Sequence, residues 1–139
     1  DISIVYKKVT GKYSKDKIII AGYSIGSGFA AKLASENNPK ALILQAPYYN
    51  FLELSSSRAP FFPDFMKKFS LETNLCLPKI KSPIYIFHGT KDNLIPIDNS
   101  IRLKKLLKSN VYFYPLKNQE HIGVNENEDF QKQLKKILE

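Results

Sequence analysis

Three residues in this chain have the types needed to activate a hydroxyl for attack on a carbonyl. Ser24 lies in Gly22-Tyr23-Ser24-Ile25-Gly26, a G-x-S-x-G stretch. It follows the apolar run Ile18-Ile19-Ile20-Ala21 and leads into the helix-forming residues Phe29-Ala30-Ala31-Lys32-Leu33-Ala34. A serine between a strand and a helix on so sharp a reversal is pushed outward on a strained backbone. Glycines at 22 and 26 are expected because a Cβ at either place would crowd the turn. A serine hydroxyl is a weak nucleophile until an imidazole takes its proton, and a carboxylate must hold that imidazole in the right tautomer.

The chain has two histidines. His88 opens His88-Gly89-Thr90-Lys91-Asp92, and His121 closes Asn118-Gln119-Glu120-His121. His121 is the better placed base, because His88 sits at a strand end, where histidines pack locally or bond backbone. Asp92 is the candidate acid. The nearest substitute, Asp98, falls inside a first helical turn.

The elements that must position these groups alternate. Apolar residues Ile2, Val5, Tyr6, Val9 and Tyr13 recur at helical spacing over residues 1 to about 13. Strands are expected at 17–21, 41–46, 84–87 and 111–114, and helices at 24–37, 97–108 and about 126–138. The last helix carries Phe130, Leu134, Ile137 and Leu138 as its inner face. Ala41-Leu42-Ile43-Leu44 is apolar without alternation, as in a strand covered on both faces. This order predicts an α/β fold: three layers, α/β/α, around a mostly parallel sheet. In such a sheet reactive groups gather in loops at the C-terminal strand ends, where 24, 92 and 121 all fall. From 47 to 83 the texture changes to short helices and irregular chain rich in Phe, Tyr and Pro.

At this point a resemblance is clear. The chain resembles the C-terminal part of an α/β-hydrolase of the small bacterial serine-hydrolase kind, over essentially its whole length. The features that carry it are the stretch at 22–26, His88 to Asp92 with the following Ile95-Pro96, and His121 in the last strand–helix loop. The chain order Ser…Asp…His is that of the family. The resemblance implies Ser24 as nucleophile, Asp92 as acid, His121 as base and the Ile25 amide as an oxyanion donor. Gln-Glu-His-Ile around 121 departs from the Gly-rich setting usual there. The aromatic segment at about 48–80 stands where the family often inserts a cap, which makes Tyr48, Phe61 and Phe62, together with Tyr23, candidates to line a substrate pocket. The same aromatics would equally serve to complete the core. The resemblance further implies about four earlier strands, one of which brings the second oxyanion donor. No His-Gly-Gly-type stretch is found here, and the 17–21 strand is expected to face a missing neighbour.

Composition narrows the function classes. With 139 residues, 43% hydrophobic and 24% charged, one globular domain over 1–139 is expected. The net charge of +8 comes from lysines scattered over helical segments, and the only arginines are Arg58 and Arg102, so no nucleic-acid partner is read. A single cysteine, Cys76, excludes an internal disulfide and fits a reducing, cytoplasmic setting as an inert buried thiol. No apolar run approaches a membrane span. The implied activity is hydrolysis of carboxylic esters of small-molecule size through an acyl-enzyme, with no metal or organic cofactor. Amide or peptide cleavage on the same scaffold, and a binding protein that keeps the fold without turnover, are the alternatives.

Overall fold

The computed structural model describes residues 2–57 and 71–139. Four strands, β1 (Ile19–Tyr23), β2 (Ala41–Gln45), β3 (Ile84–Gly89) and β4 (Val111–Leu116), form one sheet in the order β1-β2-β3-β4. All three pairings are parallel, with Ile20 opposite Leu42, Leu44 opposite Ile86 and Phe87 opposite Tyr114. β2 is buried at every position, as its unbroken apolar run predicts for a strand with both faces covered.

Helices cover both faces. On one side, α1 (Ile2–Thr10), α2 (Gly26–Asn37) and α5 (Asp98–Leu106) contribute Tyr6, Ala30, Ala31, Leu33, Ala34 and Leu103. These pack on Ile20, Leu42, Leu44, Ile84 and Ile86 of the sheet. On the other, α6 (Glu128–Leu138) sets Phe130 edge-on against Phe87, with Leu134 and Ile137 half-buried beside it. Leu138, expected on this inner face, is instead 57% exposed at the last position of the helix. Asn127 caps α6, its side-chain oxygen accepting from the Phe130 amide.

Element bounds also shift. β1 begins and ends two residues later than 17–21, since Gly22 and Tyr23 still pair with Leu44 and Gln45. The first helix stops at Thr10 and seats only Tyr6 and Val9 on the core, while Ile2 and Val5 stay 46% and 60% exposed.

In the segment after β2, α3 (Phe51–Ser57) and α4 (Thr73–Cys76) are short, as its composition suggests. Phe51 and Leu54 of α3 join Tyr48, Leu71 and Ile95 in a third cluster. Phe61 and Phe62 lie outside the described residues. Cys76 is half-buried against the first core, and burial pushes its thiol up. No described helix is long and apolar enough to cross a membrane.

Candidate active site

β1 passes directly into the turn that carries Ser24. Its amide donates to the Gln45 carbonyl of β2 (2.9 Å), so the strand pairing continues to the turn itself. Ser24 then takes φ +53°, a left-handed conformation that side-chain-bearing residues rarely hold. Two bonds from the buried Ser27 secure it, both to the Ser24 carbonyl: the amide at 3.0 Å and the hydroxyl at 2.6 Å. A Cβ on Gly22 would stand 2.5 Å from the Gly26 carbonyl oxygen and 2.6 Å from Ala30 Cβ, so the return of the chain requires glycine at 22. Gly26 differs from its expectation. A Cβ there meets nothing within 4 Å, because it is the Gly26 carbonyl, not its α-carbon, that approaches β1.

The turn projects Ser24 Oγ toward His121, whose Nε2 lies 2.9 Å away. His121 Nδ1 donates to Asp92 Oδ2 at 2.7 Å. The carboxylate's other oxygen, Oδ1, accepts from the amides of Leu94 (3.0 Å) and Ile95 (2.8 Å). Burial works against the charge on Asp92, but bonds from His121, His88 and the Ile95 amide outweigh it and hold the carboxyl well below the usual range. The Asp92 side chain is closed to solvent, while 13% of the His121 side chain remains open. An imidazole held on one nitrogen by an ionised carboxylate presents its other nitrogen to the serine as a proton acceptor. The Ile25 amide stands at the entry to α2, where a helix's first N–H groups lack intrahelical acceptors.

Tyr23, read from the sequence as a pocket residue, is engaged with His121. The two rings stack with centroids 5.4 Å apart, and the phenol donates to the His121 carbonyl. Burial, reinforced by the charges of Asp92 and Glu126, raises the Tyr23 phenol and keeps it a donor. Of the two readings open for Tyr48, pocket wall or core, its position fits the core. It is completely buried, edge-on to Phe51, and its phenol reaches the Ile25 carbonyl at 3.4 Å. The ring occupies the space that Gly28 leaves by having no Cβ: one built there would lie 1.8 Å from the phenol oxygen. Tyr48 therefore underpins the start of α2 instead of lining an open surface. Asp98, the weighed alternative to Asp92, begins α5.

The sequence reading set His88 aside as a locally bonded residue, and the structure places it so: fully buried, with Ser100 and the Ile95 carbonyl as partners. What it missed is that His88 Nε2 also lies 3.3 Å from Asp92 Oδ2. Spacing alone carried a hint, since His88 and Asp92 are four residues apart across a Gly-containing turn. Among the described residues, no group of three or more His, Cys, Asp or Glu could hold a metal ion.

A parallel sheet between helices, with these loops at its C-terminal ends, matches part of an α/β-hydrolase fold. The chain belongs to the Dienelactone hydrolase family, whose sequence model matches residues 1–121. It is 31% identical over 108 residues to alpha/beta hydrolase domain-containing protein 17B of Homo sapiens, a match covering 74% of this chain and 35% of that protein. The 17C protein of Mus musculus is 29% identical over 108 residues, covering 74% and 32%. The chain thus spans about a third of the length of the curated relatives it matches. Among solved structures, the esterase domain of a Rhodothermus marinus protein superposes with a TM-score of 0.78 at 14% identity, over 96% of this chain and 64% of that one. A Pyrococcus furiosus esterase gives 0.77 at 18%, over 99% and 59%. The acylaminoacyl peptidase of Pyrococcus horikoshii gives 0.71 at 16%, over 96% and 24%. At such identities the likeness is one of fold.

Proposed function

We propose that this chain carries the reacting groups of a serine hydrolase that cleaves carboxylic esters through an acyl-enzyme. The observation that carries this reading is the unbroken run Ser24 Oγ–His121 Nε2 and His121 Nδ1–Asp92 Oδ2, at 2.9 and 2.7 Å. Ser24 Oγ attacks the ester carbonyl carbon as its proton passes to His121 Nε2. The oxyanion of the tetrahedral intermediate faces the Ile25 amide. When the intermediate collapses, the C–O bond breaks and the alcohol leaves with the proton from His121, so Ser24 keeps the acyl group. Water then attacks the acyl carbon, His121 takes its proton and returns it to Ser24, and the acid is released. Asp92 stays ionised throughout and stabilises the imidazolium. Removing one oxyanion donor costs about 10²–10³ in rate. The source of a second donor therefore governs how fast this chain turns over by itself.

Amide cleavage would use the same groups, with the leaving amine taking its proton from His121. A folded but inert binding protein is the remaining alternative. The deciding experiment treats the chain with a fluorophosphonate probe and with p-nitrophenyl acetate and butyrate, beside Ser24→Ala and His121→Ala. Labelling that depends on both residues supports the reading. Folded protein that does not label overturns it in favour of a binder. Labelling with release from p-nitroanilides but not from the esters would select the amide reading.

A further inference from the structure

We infer that His88 is a positioning residue for the site: one buried imidazole proton, shared between the Ile95 carbonyl and Asp92 Oδ2, sets the direction in which the Asp92 carboxylate meets His121. The inference rests on the proposed function for its consequence, but its geometry stands apart from it.

The tautomer follows from the partners. A carbonyl oxygen can only accept, so the 2.7 Å contact from His88 Nε2 to Ile95 O requires a proton on Nε2. The same N–H faces Asp92 Oδ2 at 3.3 Å. In neutral imidazole Nδ1 then holds a lone pair, and the Ser100 hydroxyl, 2.6 Å away and fully buried, donates to it. The Nε2–H form satisfies all three contacts.

The arrangement fixes Asp92 from both ends. Oδ1 is held by the Leu94 and Ile95 amides, while the Ile95 carbonyl, on the same residue, is held by His88. The short turn from Asp92 to Ile95 is thereby tied to the end of β3. With Oδ1 doubly bonded and one side of Oδ2 occupied by His88, the remaining lone-pair direction of Oδ2 is the one His121 Nδ1–H uses. Two different elements thus supply imidazoles to one carboxylate oxygen: β3 gives His88, and the loop after β4 gives His121. The other titratable groups that act here are Tyr23 from β1, which feels the Asp92 charge, and Glu126, which acts on Tyr23.

A donor to Oδ2 draws off part of the carboxylate's charge, so removing it makes the Asp92–His121 pair more basic as a unit. The test compares the pH profile of fluorophosphonate labelling for the unmodified chain, His88→Leu, His88→Gln and Ser100→Ala, with thermal unfolding of each. His88→Leu is expected to label about tenfold more slowly, with the acid limb moved up by about half to one pH unit, the size of one lost neutral hydrogen bond. His88→Gln, whose amide can donate from nearly the same point, is expected to recover most of both effects. Ser100→Ala removes the donor that holds Nδ1 and so loosens the ring's aim at Asp92, and it should move the limb the same way by less. A folded His88→Leu with unchanged rate and limb means that His88 only fills space, and the inference fails. If His88→Leu does not fold, an unchanged Ser100→Ala profile overturns it equally. If the unmodified chain does not label at all, the proposed function has failed. The downfield Nδ1 proton signal of His121 then decides: it should broaden or move in Ser100→Ala, and an unaltered signal refutes the inference.

Discussion

Gly89 and Gln119 approach so closely that a Cβ on Gly89 would stand 2.2 Å from the Gln119 carbonyl oxygen. The same carbonyl accepts from the Lys91 amide at 2.9 Å. The loop that carries Asp92 and the loop that carries His121 are therefore packed backbone on backbone. In the proposed mechanism that contact sets the separation of acid and base. Gly89→Ala is expected to push the loops apart and slow fluorophosphonate labelling by at least about 10²-fold, as misplacement of about 1 Å does elsewhere. Labelling rate and unfolding temperature, measured together, check it: the rate should fall far more than stability.

The turn at Ser24 makes opposite demands on its two flanking glycines. Gly22→Ala is expected to destabilise by about 3 kcal/mol, since both obstructing atoms belong to the packed turn and helix. Gly26→Ala, opening α2 into free space, should be neutral or stabilising by up to about 1 kcal/mol. Denaturant unfolding of both variants distinguishes this from the symmetric crowding that the motif suggests.

Asp92→Asn keeps an acceptor for the Leu94 and Ile95 amides but offers His121 an amide donor in place of Oδ2. The imidazole must then present a lone pair at Nδ1 and its proton at Nε2, toward Ser24. Labelling should fall by about 10⁴ with the fold retained, a comparison that needs only the probe and a circular dichroism spectrum.

The same carboxylate predicts an acid-side stability loss. Its folded pKa is depressed, so its contribution is complete above the unfolded carboxyl range and is lost as pH falls from about 4 toward the depressed value. The unmodified chain should lose up to about 1.4 kcal/mol per pH unit from this one proton. Asp92→Asn should show a slope shallower by that amount in unfolding experiments between pH 5 and 2.

Tyr23→Phe preserves the ring stacked on His121 and removes the bond to the His121 carbonyl. A labelling rate lowered by about three- to tenfold is expected, the equivalent of about 1 kcal/mol. Tyr23→Ala, which also removes the stack, should lower it further. Equal rates in all three would return Tyr23 to a substrate-facing role.

What the sequence made legible were patterns that depend on local order. The apolar run at Ala41 to Leu44 and the strand-to-helix passage around Ser24 led to the parallel sheet between helices. Ser24, Asp92 and His121 fell at strand ends, and in the structure they lie within hydrogen-bond reach. The failures concern what a residue meets across the fold. Nothing near Tyr48 in the sequence says that it fills the place of a missing Cβ on Gly28. Nothing near Gly26 says that its carbonyl, not its α-carbon, makes the close approach. The four-residue spacing of His88 and Asp92 hints at their link, but the contact itself needs the turn to fold back through Ile95, which no local pattern dictates.

The described strands lie side by side in the order in which they are synthesised, from β1 to β4, with every neighbour pair parallel. Ser24 emerges before its partner, which lies 97 residues further along. A nascent chain can therefore build its strands one upon the next while the serine remains an ordinary alcohol. Under the proposed mechanism, reactivity arrives abruptly at the moment residue 121 docks, so a nascent chain that has not reached residue 121 carries no active nucleophile.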